Sequence, residues 1–139
     1  PEQFDVLQAL GARQCISRHG LYWGQRPLET SRWGGAIDNV GGDMLSGLTR
    51  VIHPYGSIAS CGLTGGADLQ TTVMPFIIRG VSVLGIASSG TPMPVRRAVW
   101  ERLAGDWKPT HLDRICTAEA TIDALDGVFA TMLAGGSFG

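Results

Sequence analysis

Apolar residues recur along the chain in two rhythms. Met44, Leu45, Leu48, Val51 and Ile52 fall at i, i+1, i+4, i+7 and i+8, one face of a helix that starts near Asp43 and that Pro54 and Gly56 stop. Phe4, Val6, Leu7 and Leu10 sit at near-helical spacing, and Gly11 stands where a left-handed C-cap is needed, so a helix is predicted over 2–10. Four short runs of small or β-branched residues, each ending near glycine, read as strands: Gln14 to Ser17, Ala36 to Val40, Ser57 to Cys61 and Val81 to Ile86. Pro75 opens a short helix through Arg79, and Pro94 opens another that runs to about Ala104. Strands alternating with helices predict βαβ units and a mostly parallel sheet. Ile122, Leu125, Val128, Phe129, Met132 and Leu133 stripe a closing helix, with Thr121 as its expected N-cap. Gly105 to Thr110 is linker-like, and a boundary is placed there.

Composition narrows the partners. Eleven Lys and Arg against 12 Asp and Glu leave no basic excess for nucleic acid or anionic lipid. No run approaches the roughly 18 apolar residues of a membrane span, and a cytoplasmic location is expected. Cys15, Cys61 and Cys116 lie far apart, with no CxxC spacing and no histidine at a matching interval, so no metal site is expected. His19, His53 and His111 have no nucleophile elbow beside them and suit surface or capping roles. Trp23, Trp33, Trp100 and Trp107 do not interleave with basic residues, which favours packing over base stacking.

The chemistry-bearing pattern lies at the strand ends. Residues 35–42, Gly-Ala-Ile-Asp-Asn-Val-Gly-Gly, form a buried strand breaking into glycines where the chain must turn at the sheet's carboxyl edge, the edge at which open α/β sheets bind ligands. Asp38 in that run is read first as a cap on a neighbouring loop. Residues 60–66, Ser-Cys-Gly-Leu-Thr-Gly-Gly, repeat the pattern, with Gly62 allowing close backbone approach and Leu63 offering an apolar contact. Residues 83–92 end the next strand in small polar residues and a proline-limited loop. Each could be a plain turn; in register along one edge, the three suggest a cofactor crevice. No GxGxxG or P-loop occurs.

Leu10-Gly11-Ala12, Arg18, Arg26-Pro27-Leu28-Glu29, Trp33 to Gly41, Cys61 to Gly66 and Thr71 to Ile77 followed by Gly85-Ile86 together resemble the zinc-free medium-chain dehydrogenases/reductases of the quinone oxidoreductase and acryloyl-CoA reductase group. The resemblance spans nearly the whole chain, and Thr71 to Ile77 is its most specific piece. It implies a partial Rossmann-type parallel sheet with flanking helices over residues 1–104, plus a carboxyl-terminal segment, 105–139, returning to the substrate domain. It also implies an enzyme in which NADPH reduces the activated C=C bond of a small enoyl-CoA or quinone-like acceptor by hydride transfer.

Carried over residue by residue, Arg18 matches a basic position at the cofactor's phosphate end and Leu63 one beside the nicotinamide. Ile77 and Ser88 match further cofactor contacts, and Gly41 and Gly62 belong to the strand-end turns that approach the cofactor. Ala87 departs from the family, where an Asp precedes the serine. The resemblance further places the glycine-rich phosphate turn, the 2′-phosphate-reading Ser-Gly-Arg, two central strands and the amino-terminal substrate domain before Pro1, and a last strand after Gly139. On that expectation the chain by itself lacks turnover and pairs through residues 81–86 as a homodimer. The alternative is a non-catalytic fragment that oligomerises through exposed sheet edges.

Overall fold

The computed structural model describes residues 3–116 and 118–136. The regular elements run α1 (Phe4–Ala9), β1 (Trp33–Asp38), α2 (Gly42–Val51), β2 (Ile52–Ser60), α3 (Met74–Arg79), β3 (Ser82–Gly85), α4 (Met93–Ala104), α5 (Leu112–Ile115) and α6 (Leu125–Leu133), with short 3-10 turns at Arg18–Gly20 and Ile122–Ala124. The chain forms two compact units, one of Arg18–Pro92 and one of Pro1–Ser17 with Met93–Gly139.

The Arg18–Pro92 unit holds an all-parallel sheet in the order β1-β2-β3. The helical stripe of α2 behaves as its spacing predicts: Leu45 and Leu48 are buried and join Ile52, Ile58 and Val81 in a core on which Trp23, Trp33, Ala36, Met44 and Val83 pack. Fully burying an aliphatic chain such as Ile52 or Ile58, both 0% exposed, is worth roughly 1.5–3 kcal/mol. The two hydroxyls buried along α2 are satisfied within the helix, Ser46 Oγ donating to Gly42 O at 2.8 Å and Thr49 Oγ1 to Ser46 O at 2.8 Å. The opposite face of the sheet is open in this unit. Ile37, Ala59 and Leu84 share one register row there, and Ile37 and Leu84 are exposed.

The end of α2 differs from the sequence expectation. The helix stops at Val51, before Pro54 and Gly56, and Ile52 already starts β2. Its terminal carbonyls, orphaned at any helix end, are met from elsewhere. Glu29 N donates to Arg50 O at 3.0 Å and Arg32 N to Val51 O at 2.7 Å. The Arg79 guanidinium donates to Arg50 O at 2.9 Å, to Ile52 O at 3.3 Å, and to Glu29 O. Pro54 fits inside β2 because the register jumps from Trp33↔Ile52 to Gly35↔Ser57, which leaves Pro54 and Tyr55 in an irregular stretch rather than the ladder.

Other boundaries also move. β1 is Trp33–Asp38, not 36–40, and β2 begins five residues before the expected Ser57. β3 is trimmed to Ser82–Gly85, although Ile86 N still donates to Ser60 O at 2.9 Å. α3 opens at Met74 with Pro75 in its first turn, as expected.

In the second unit α1 covers 4–9 of the expected 2–10, and Gly11, at φ +107°, follows its end; Glu2 lies outside the described residues. Gln14 to Ser17 is not a strand. It joins no ladder among the described residues, and its Cys15 Sγ donates to Phe4 O at 3.8 Å. α4 runs as expected. Thr121 precedes a 3-10 turn rather than α6, whose N-cap is Ala124, and it makes no side-chain cap bond. Val128, Phe129, Met132 and Leu133 of α6 are exposed.

Candidate functional site

The carboxyl ends of β1 and β2 are interlocked. Asp38, the last residue of β1, is 2% exposed. Its Oδ1 accepts from Val40 N at 3.2 Å and from Gly41 N at 3.2 Å, and its Oδ2 accepts from Gly41 N at 3.0 Å. This is the capping role expected from the sequence. The main chain completes the clasp: Cys61 N donates to Asp38 O at 2.8 Å, Gly65 N to Val40 O at 2.7 Å, and Gly41 forms a parallel bridge with Gly66.

Two glycines in the clasp are dictated by geometry. Gly41 has φ +71°, and a Cβ there would come within 2.5 Å of Gly66 O and 3.1 Å of Leu63 Cα. At Gly62 a Cβ would collide with the Asn39 backbone, so the close approach read from the sequence is made by the neighbouring loop. Leu63 rides on top, 66% exposed. Beside it Thr64 Oγ1 donates to Asn39 O at 3.4 Å.

Of the six candidate cofactor-binding residues, the structure interlocks Gly41, Gly62 and Leu63. Ser88 follows β3, the strand adjoining β2, with its backbone N donating to Ile86 O at 3.0 Å. Ile77 stands on α3, 74% exposed. Arg18 lies in the 3-10 turn before β1, exposed and outside the clasp. Leu63 thus presents an exposed apolar side chain on backbone hydrogen-bonded between the two strand ends. Among the described residues no group of three or more His, Cys, Asp or Glu is placed to hold a metal, and no helix is long and apolar enough to cross a membrane.

Within the Arg26-Pro27-Leu28-Glu29 motif before β1, the structure forms an ion pair that the sequence reading did not contain. Glu29 Oε2 accepts from Arg26 Nη2 at 2.7 Å and Nε at 3.2 Å, while Oε1 accepts from the backbone N of Arg26 at 3.0 Å and of Gln25 at 3.1 Å. The Arg26 side chain, then its backbone N–H, hold the Glu29 carboxyl down at about 2, and Glu29 in turn raises Arg26. The i, i+3 spacing of Arg26 and Glu29 was the available signal.

The carboxyl edge of a parallel α/β sheet, where these strand-end loops meet, is the edge at which open α/β folds bind ligands. No family model matches the chain. It is 45% identical over 133 residues to the putative quinone oxidoreductase YhfP of Bacillus subtilis, covering 95% of this chain and 40% of that protein. It is 40% identical over 136 residues to the acrylyl-CoA reductase AcuI of Ruegeria pomeroyi, covering 97% of this chain and 41% of that one. The crystal structure of B. subtilis yhfP with NAD bound superposes with a TM-score of 0.91 at 43% identity, over 97% of this chain and 41% of that one. That of the yhdH oxidoreductase from Salmonella enterica in complex with NADP also gives 0.91, at 34% identity, over 99% and 42%. The chain is therefore a homologue of the quinone oxidoreductase and acrylyl-CoA reductase relatives, and spans about 40% of the length of those it matches.

Proposed function

We propose that this chain is the cofactor-edge portion of an NADPH-dependent reductase acting on the activated C=C bond of an enoyl-CoA or quinone-like acceptor. The observation that carries the reading is the clasp. Buried Asp38 and the Gly41–Gly66 bridge fix two adjacent strand ends, and Leu63 is held out from them as a rigid apolar platform. Bound NADPH supplies the hydride. The chain's own part is to seat one face of the nicotinamide on Leu63, with Ile77 and Ser88 as further contacts and Arg18 toward the phosphate end. Residues 1–104 are assigned to the dinucleotide-binding domain and 105–139 to the segment returning to the substrate domain. Two relatives support a nicotinamide cofactor, since their structures hold NAD or NADP.

A homodimer through residues 81–86 accompanies this reading, because β3 is an edge strand with one free side. The same edge would serve a non-catalytic oligomer. Titrating the chain with NADPH and with NADH, followed by the nicotinamide fluorescence, tests the proposal. Saturable binding with NADPH preferred is expected; an unsaturable signal would leave the oligomerising reading in its place.

A further inference from the structure

A cavity lies at the other end of α2 from the clasp. It has a volume of about 240 Å³ and is lined by Gln25, Pro27, Arg50, Gln70, Thr71 and Thr72. Gly42 at the clasp and Arg50 at the cavity are eight residues apart on one helix, a separation of roughly 12 Å at ~1.5 Å per residue.

The walls are tied to α2 by specific bonds. Buried Ser46 accepts from Gln70 N at 2.9 Å, and buried Thr49 shares a 2.9 Å hydroxyl bond with Thr71. Arg50 Nη1 donates to Gly24 O at 2.6 Å, which fixes the wall that carries Gln25 and Pro27. The lining is therefore ordered before any ligand arrives, which lowers the entropic cost of binding.

Its chemistry has one sign. The lining offers a guanidinium, two amides and two hydroxyls, and no carboxylate. Arg50 makes no ion pair among the described residues, and the nearby acid Glu29 is taken up by Arg26. The carbonyls at the end of α2, which would repel an anion, are covered by Glu29 N, Arg32 N and the Arg79 guanidinium; the last adds a second positive charge on Arg50 O. Arg50 spends one donor on Gly24 O, and its guanidinium has four more in a fork that matches two oxygens of a carboxylate or phosphate. The volume lies below the ~300–1,000 Å³ typical of drug-sized ligands. We propose that this cavity binds a small oxyanion, a carboxylate or a phosphate, with Arg50 as its charged anchor and Gln25, Gln70, Thr71 and Thr72 as its hydrogen-bonding wall. The site is separate from the cofactor edge and does not depend on the cofactor reading.

The test is an amide-resolved NMR titration of the full chain with inorganic phosphate and, separately, with malonate, each against sodium chloride at equal ionic strength. Saturable shifts at Gln25 and at Gln70 to Thr72 are expected with at least one probe, and the probe that produces them identifies the source of the oxyanion. Arg50→Gln should weaken binding about ten-fold or more. Because Arg50 also ties down Gly24, the deciding variant is Gln70→Glu. It keeps every bond described above and places a negative charge in the cavity, so it should abolish the shifts at an unchanged thermal midpoint. Shifts reproduced by sodium chloride, binding that survives Gln70→Glu, or binding lost in Arg18→Gln instead would each overturn the proposal, as would no saturable shift with either anion.

Discussion

Asp38 holds the Gly41 amide with both carboxylate oxygens, at 3.2 and 3.0 Å, from a position that is 2% exposed. Removing the carboxylate leaves the Val40 and Gly41 N–H groups without an acceptor. Asp38→Ala should therefore cost about 2–3 kcal/mol in urea unfolding, and Asp38→Asn, which keeps one acceptor oxygen, about half that. Equal stability of wild type and Asp38→Ala would show that water replaces the carboxylate and that the clasp does not need it.

Leu63→Asp separates binding from folding. The side chain is 66% exposed, so stability should change by less than ~0.5 kcal/mol. A carboxylate beside a bound nicotinamide is desolvated without a partner, and NADPH affinity should fall about ten-fold or more. An NADPH titration indistinguishable from wild type would remove Leu63 from the site.

Val83→Pro probes the edge of the sheet. Ile86 N donates toward β2, to Ser60 O, and N–H directions alternate along a strand, so the Val83 N–H points to the free side. The substitution spares the β2–β3 ladder and removes a donor from the edge a second copy would use. A dimer should disperse, measured by light scattering on a size-exclusion column, with the circular dichroism retained. Unchanged dimer mass would assign association to another surface.

The Arg26–Glu29 pair sets a pH dependence. The Glu29 carboxyl is lowered from an ordinary 4.5 to about 2. A depressed folded-state value means that the unfolded chain takes up its proton first. The pair's contribution is thus complete above about pH 4.5 and disappears as pH falls through about 2. Glu29→Gln should be less stable than wild type at pH 6, and the two should converge near pH 2 in thermal melts. A difference that is constant across this range would mean that the charge plays no part.

The sequence was most legible where one element decides its own fate. The Met44, Leu45, Leu48, Val51 stripe specifies α2 and its buried face, and Asp38 two residues before Val40 specifies a local cap. It was least legible where the deciding partner is remote. Ile52 to Gly56 reads as the tail of a helix with breakers, yet contacts from Arg32 and Arg79 turn it into the start of β2. Gln14 to Ser17 has strand character and joins no ladder among the described residues. Gly62 announces a close approach, but nothing local says that the Asn39 backbone makes it. The polar cavity combines residues 25, 50 and 70 from three separate stretches, a juxtaposition no spacing rule contains.

The way α2 ends carries a consequence for synthesis on the ribosome. Arg50 O near its end and Ile52 O at the start of β2 are met by Arg79, which lies 29 residues beyond Arg50 and 27 beyond Ile52. At roughly 5–20 residues per second, that guanidinium is made about 1.5–6 s after the helix end it closes. In that interval only the Glu29 and Arg32 amides, already made, mark the border between helix and strand, and Ile52 and Ile58 wait for Val81 to complete their core.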